Sequence, residues 1–111
     1  MTLSCDLFCA VVDNLGDAGV CWRLARQLAA EHGWTMRLWI DDTAPLALLR
    51  PGIDPGLERQ TLDGVEIRRW SADFPATQPP QVVIESFACE LPPGYVAAMA
   101  ALPKPPLWIN L

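Results

Sequence analysis

An apolar run breaks off at two closely spaced aspartates and gives way at once to a helix, and this junction limits what the chain can fold into. Asp6 to Val12 reads D-L-F-C-A-V-V, continuous in hydrophobicity rather than alternating. That is the pattern of a strand buried on both faces of a parallel sheet, and it places an inner strand at Leu7–Val12. Beyond the turn, Cys21, Leu24, Ala25 and Leu28 recur at i, i+3, i+4 and i+7. They form one face of an amphipathic helix, expected from Ala18 to about His32. Asp17 stands where a helix N-cap belongs, and Gly33 supplies the stop. Thr35–Ile40, T-M-R-L-W-I, is a second strand, with Leu38–Ile40 also inside the sheet. Strand, helix and strand make one right-handed βαβ unit.

The remainder continues the alternation. Ala44–Arg50 is a short helix with a proline in its first turn. The Asp63-Gly64 turn signal leaves either a hairpin or a single strand at Val65–Trp70. Val82–Ile84 is a short strand, Tyr95–Leu102 an alanine-rich helix and Leu107–Leu111 a last strand. The fold class is therefore α/β, a Rossmann-like, mostly parallel sheet with helices on both faces. Residues 1–111 form one such domain. The chain stops inside its last strand, which is the expectation for a piece of a longer protein. Trp22, Trp39 and Trp108 are assigned to the core, and Trp70, at a strand end, borders a site.

A formal charge of −5 over 111 residues argues against general nucleic-acid binding, which needs basic patches, and suits a cationic ligand. No apolar run reaches the length of a membrane span, and no basic leader opens the chain, so a cytoplasmic location is expected. Cys5, Cys9, Cys21 and Cys89 form no C-x-x-C pair, and His32 stands apart, so no metal and no cofactor is expected. The thiols read as buried and reduced.

In an open α/β sheet, ligands bind at the carboxyl ends of the strands. Here those ends carry Asp13 and Asp17, Asp41 and Asp42, Trp70 with Ser71, Glu85 with Ser86, and Asn110. An edge rimmed by carboxylates repels a pyrophosphate and attracts a guanidinium or an ammonium. Each acid also has a plainer role open to it. Asp17 caps a helix, Asp13 ends a strand in an Asx turn, Asp41 and Asp42 start a solvated helix, and Glu85 and Glu90 face either an acceptor or water. G-D-A-G lacks the third glycine of the dinucleotide fingerprint. An unrelated Rossmann-like nucleotide-binding domain, with Asp41 or Asp42 on a ribose, remains a weaker alternative.

D-N-L-G-D-A-G-V-C-W-R-L-A-R-Q-L (Asp13–Leu28) closely resembles the signature of the elongation factor P arginine rhamnosyltransferases, the EarP family. L-W-I-D-D (Leu38–Asp42), D-G-V-E-I-R-R-W (Asp63–Trp70), V-I-E-S-F-A-C-E-L-P (Val83–Pro92) and L-W-I-N-L (Leu107–Leu111) are similar to further blocks of that family, in the same order. The resemblance implies a GT-B glycosyltransferase of two Rossmann-like domains, of which this is part of the N-terminal, acceptor-binding one. It implies inverting transfer of rhamnose from dTDP-β-L-rhamnose to one arginine of elongation factor P, with the donor held by a C-terminal domain that has no counterpart here. It carries over two residues, Asp13 and Asp17, as the catalytic acids; Asn14, Gly16, Gly19, Glu85 and Phe87 are the substrate-binding candidates around them. The alternative reading takes the isolated chain as a non-catalytic module that at most docks elongation factor P.

The chemistry asks for such residues. A guanidinium is charged and delocalised at physiological pH, so one nitrogen must be held in line and lose a proton as it attacks. One carboxylate can accept two parallel N–H bonds and a second can take the proton. Inversion is a single displacement and needs no enzyme nucleophile. Gly16 and Gly19 are expected to keep the turn clear for an acceptor loop.

Overall fold

The computed structural model describes residues 2–12, 14–71, 74, 77–86 and 89–111. Six strands form one sheet, β1 (Ser4–Cys9), β2 (Thr35–Ile40), β3 (Arg59–Leu62), β4 (Val65–Arg69), β5 (Val82–Glu85) and β6 (Leu107–Asn110), in the order β3-β4-β2-β1-β5-β6. All neighbours are parallel except β3 and β4. The hairpin alternative therefore holds. Leu62 pairs with Val65, and Asp63 (φ 52°) and Gly64 (φ 78°) fill the connection. Both φ values are positive, as the two-residue turn with the right twist for a hairpin requires.

Both expected inner strands are inner: β1 lies between β2 and β5, and β2 between β1 and β4. Strand β1 ends at Cys9, short of the expected Val12. The cause is local. The N–H groups of Val11 and Val12 donate to side chains, Asp41 Oδ1 and Asp17 Oδ2, each at 2.8 Å, so neither belongs to the sheet ladder.

Among the described residues three helices, α1 (Asn14–His32), α2 (Ala44–Leu49) and α3 (Pro93–Ala101), lie between strands. Side-chain alternation along β1 separates two cores. Cys5, Leu7 and Cys9 face α1, whose buried Ala18, Cys21, Trp22 and Ala25 pack on them together with Leu46 of α2. On the other face Phe8 packs with Trp39, Val83 and the α3 residues Tyr95 and Met99. Trp108 departs from its expected place in the core. It lies on edge strand β6, is 45% exposed, and donates Nε1–H to Glu85 Oε1 at 3.2 Å. Among the described residues no helix is long and apolar enough to cross a membrane.

The second face also buries a charge. Asp6, only 1% exposed, accepts both Nε–H (2.6 Å) and Nη2–H (2.7 Å) of Arg37, and Tyr95 donates its hydroxyl to Asp6 Oδ2 at 2.6 Å. Burial, and then the neighbouring Asp6 charge, push the Tyr95 hydroxyl well above its ordinary value of 10.0. A folded-state pKa raised above the unfolded one gives stability that is complete below about pH 10 and lost as pH climbs further. Tyr95 is the chain's single tyrosine, so ultraviolet titration reads it alone. We expect tyrosinate to appear only as the chain unfolds in alkali. Reversible ionisation near pH 10 with the fold intact would contradict the buried hydrogen bond.

Candidate active site

The chain leaves β1 toward β2 on one side and returns later to β5 on the other. Strand order therefore reverses at β1, and the crevice between the carboxyl ends of β1 and β5 is where an open α/β sheet binds its ligand. Ala10, Val11 and Val12 leave β1 at this point, and Ser86 leaves β5.

Side chains from three elements fix this edge. Ser86 is fully buried, donates its hydroxyl to Phe8 O at 2.6 Å, and accepts the Cys21 thiol of α1 at 3.3 Å. Its N–H donates to the same carbonyl at 3.1 Å. Cys89 adds a thiol contact to Phe8 O at 3.4 Å. The end of β1 is thus tied to the end of β5 and to α1 at once. From β2, Asp41 reaches across to the Val11 N–H, and Trp70 Nε1–H donates to Cys9 O at 3.3 Å. Asp41 is therefore a hook on the turn. Asp42 does meet the start of α2, accepting the Ala44 N–H at 3.0 Å.

Asp17 differs from expectation. Helix α1 begins at Asn14, so Asp17 lies within its first turn rather than at the N-cap. Its carboxylate folds back five residues to the Val12 N–H, which ties the turn to the helix it feeds. The error has a simple origin: the apolar stripe starts at Ala18, whereas the helix takes in one further turn of polar and glycine residues, N-L-G-D. Gly16 is exposed. Gly19 sits against α2, where an added Cβ would make an ordinary contact with Leu49 Cδ1 at 3.7 Å. Glu85 is engaged by Trp108. Asn14 is the first residue of α1. Asp13 and Phe87 lie outside the described residues.

The thiols beneath the turn are structural. Burial raises Cys5 to about 12 and lifts Cys89, and Cys9 is raised first by its hydrogen bond with Cys21 and then by burial. These three stay protonated at neutral pH and are poor nucleophiles. All four cysteines are free and buried. Ser86 and Asp41 were legible as residues of this edge, but their bonds were not, because their partners include backbone groups of the β1 segment that only the fold brings near.

These features define a doubly wound α/β domain whose carboxyl edge, among the described residues, is held by the carboxylates of Asp17 and Asp41 and the hydroxyl of Ser86. The chain belongs to the EarP family: residues 5–111 match the model of "Elongation-Factor P (EF-P) rhamnosyltransferase EarP". It is 52% identical over 111 residues to the protein-arginine rhamnosyltransferase of Pseudomonas putida, covering 100% of this chain and 29% of that protein. It is 53% identical over 108 residues to the protein of the same description from Pseudomonas aeruginosa, covering 97% of this chain and 29% of the relative. The corresponding protein of Shewanella oneidensis is 43% identical over 112 residues, covering 96% and 28%. The chain thus spans less than a third of the length of these relatives.

Proposed function

We propose that this chain is the acceptor side of a protein-arginine rhamnosyltransferase, part of the N-terminal Rossmann-like domain of a GT-B enzyme. In this reading the enzyme is cytoplasmic and moves rhamnose from dTDP-β-L-rhamnose to an arginine of elongation factor P. A separate C-terminal domain holds the donor. The observation that carries the reading is the Asp17 turn at the strand-order reversal. An acid on the first turn of α1 is pinned to the backbone that leaves β1, beside the crevice where a ligand enters.

Asp13 and Asp17 divide the work on the guanidinium. One accepts paired N–H groups and fixes the plane, and the other takes the proton released as nitrogen attacks the anomeric carbon. The bond to the dTDP oxygen breaks in the same displacement, so a β donor gives an α-linked product. Orientation and general-base help are each large effects, the latter typically about 10²–10⁴-fold. No thiol or serine nucleophile is needed.

The test uses the full-length enzyme carrying this segment, dTDP-β-L-rhamnose and elongation factor P. The expected result is one deoxyhexose added to one arginine, with α configuration by NMR. Transfer to another residue type, or a β product, would overturn the proposal. The isolated 111-residue chain should show no tight calorimetric binding of the donor. Micromolar affinity would move the donor site into this domain.

A further inference from the structure

Trp70 follows β4 at the carboxyl edge and is firmly held. Its Nε1–H donates to Cys9 O, its N–H donates to Ile40 O at 3.1 Å, and its ring meets Phe8 edge-on at 5.7 Å. Two clefts meet at Trp70 and Ser71, and both are lined by these residues. They carry opposite charge.

One cleft, of about 430 Å³, has an apolar floor of Ala10, Leu91, Pro92 and Pro93, and among the described residues its charged lining groups are Asp41 and Glu90. Asp41 receives the Val11 N–H through a single oxygen. Among the described residues, neither acid has a cationic partner within salt-bridge distance. The other cleft, of about 290 Å³, is lined by Arg59, Arg68, Arg69 and Glu58, with Trp39 behind them. Arg59 and Arg68 share one carboxylate, Glu66, at 3.1 Å each, while Arg69 meets Glu58 at 3.7 Å. One acid between two guanidiniums leaves the cleft net positive, within a chain of charge −5.

We propose that this bipolar strip, which borders the candidate site at Asp41 and Trp70, is a docking surface for the protein acceptor. It takes a Lys or Arg side chain of the acceptor, other than the modified one, between Trp70, Asp41 and Glu90. It takes an acidic side chain of the same partner against the arginines. The proposal rests on the acceptor being a protein, as argued above. A Trp wall suits the purpose, since its face attracts a cation while its edge is fixed by the fold. Paired opposite charges set register as well as affinity, because a wrong partner or a shifted one meets like charge. A nucleotide sugar could answer only the arginine half of the strip, since it has no cation to offer Asp41 and Glu90.

The test is calorimetric binding of elongation factor P to the full-length enzyme, together with steady-state transfer. Glu90→Lys and Arg59→Glu should each weaken binding about tenfold and raise KM alike, with kcat at saturation retained and Tm unchanged. Glu31→Lys, the same charge change at the far end of α1, should move neither constant. Should a reversed variant melt early, Glu90→Gln and Arg59→Gln carry the measurement, with losses of about threefold. An acceptor with one basic residue reversed to Glu should bind Glu90→Lys better than it binds the wild type. Affinities within twofold of wild type for both charge changes would overturn the strip. Acceptor binding that depends on both charges, without any rhamnose transfer by the wild type, would instead leave the strip standing and remove the proposed function.

Discussion

Asp17→Asn in the full-length enzyme is expected to lower rhamnose transfer by about 10²-fold or more while leaving the fold intact. The carboxylate has two separable jobs. Its structural job is to accept the Val12 N–H at 2.8 Å, and an amide oxygen of the same size can still do that. Its proposed chemical job is to meet a guanidinium with a full negative charge, which asparagine lacks. Asp17→Ala loses both, so it should add a stability loss of about 1 kcal/mol for the vacated backbone donor. Asp13→Asn should cost a comparable factor in rate. If the two acids share orientation and proton removal, the double variant should be scarcely worse than either single one, since residues acting as a unit fail together. Transfer rate and Tm are measured side by side. Near wild-type transfer by Asp17→Asn would reduce the residue to a tie between turn and helix.

How far this edge was legible in the sequence depended on what held each residue. Leu7, Leu38 and Val83 announced their strands because burial on both sheet faces demands an unbroken apolar run, and the observed order places β1 and β2 inside the sheet. The ends of elements were less visible. Val11 and Val12 are as apolar as Leu7, and nothing in the residues themselves says that Asp41, thirty residues on, will take one of their N–H groups out of the ladder. The first turn of α1 was likewise hidden, because N-L-G-D carries no apolar stripe. Trp108 was placed inside on its chemistry alone, whereas it is 45% exposed on β6, the outermost strand of this chain. Of the candidate site, Asp17 and Asp41 were legible as acids at strand ends. Their backbone partners were not, since those contacts exist only after β1 and β2 pair.

Asp6 exposes the same limit on the opposite face, and it yields the largest expected stability loss. It was legible only as the polar start of an apolar strand. In the fold it is 1% exposed and holds three charge-assisted hydrogen bonds, two from Arg37 and one from Tyr95. Asp6→Ala removes the acceptor for all three. It strands a guanidinium whose side chain is only 21% exposed and a buried phenol hydroxyl, and breaking one partner out of a buried pair typically costs about 3–5 kcal/mol. Arg37 keeps a long contact to Gln78 O at 3.4 Å and lies over the Trp39 ring at 5.3 Å, so the lower end of that range is expected. Against a total stability of about 5–15 kcal/mol for a domain, such a loss is a large share. Tyr95→Phe removes one hydrogen bond to a charged acceptor and should cost about 1.5–3 kcal/mol. Replacing the whole set, Asp6→Leu with Arg37→Met and Tyr95→Phe, should recover much of the Asp6→Ala loss, because an apolar cluster of similar volume leaves no charge stranded. Urea unfolding at neutral pH, with the slope compared among variants, reads each of these values. A loss below about 1 kcal/mol for Asp6→Ala would mean that Arg37 reaches water as soon as its partner is gone, and that the buried pair contributes charge placement rather than stability.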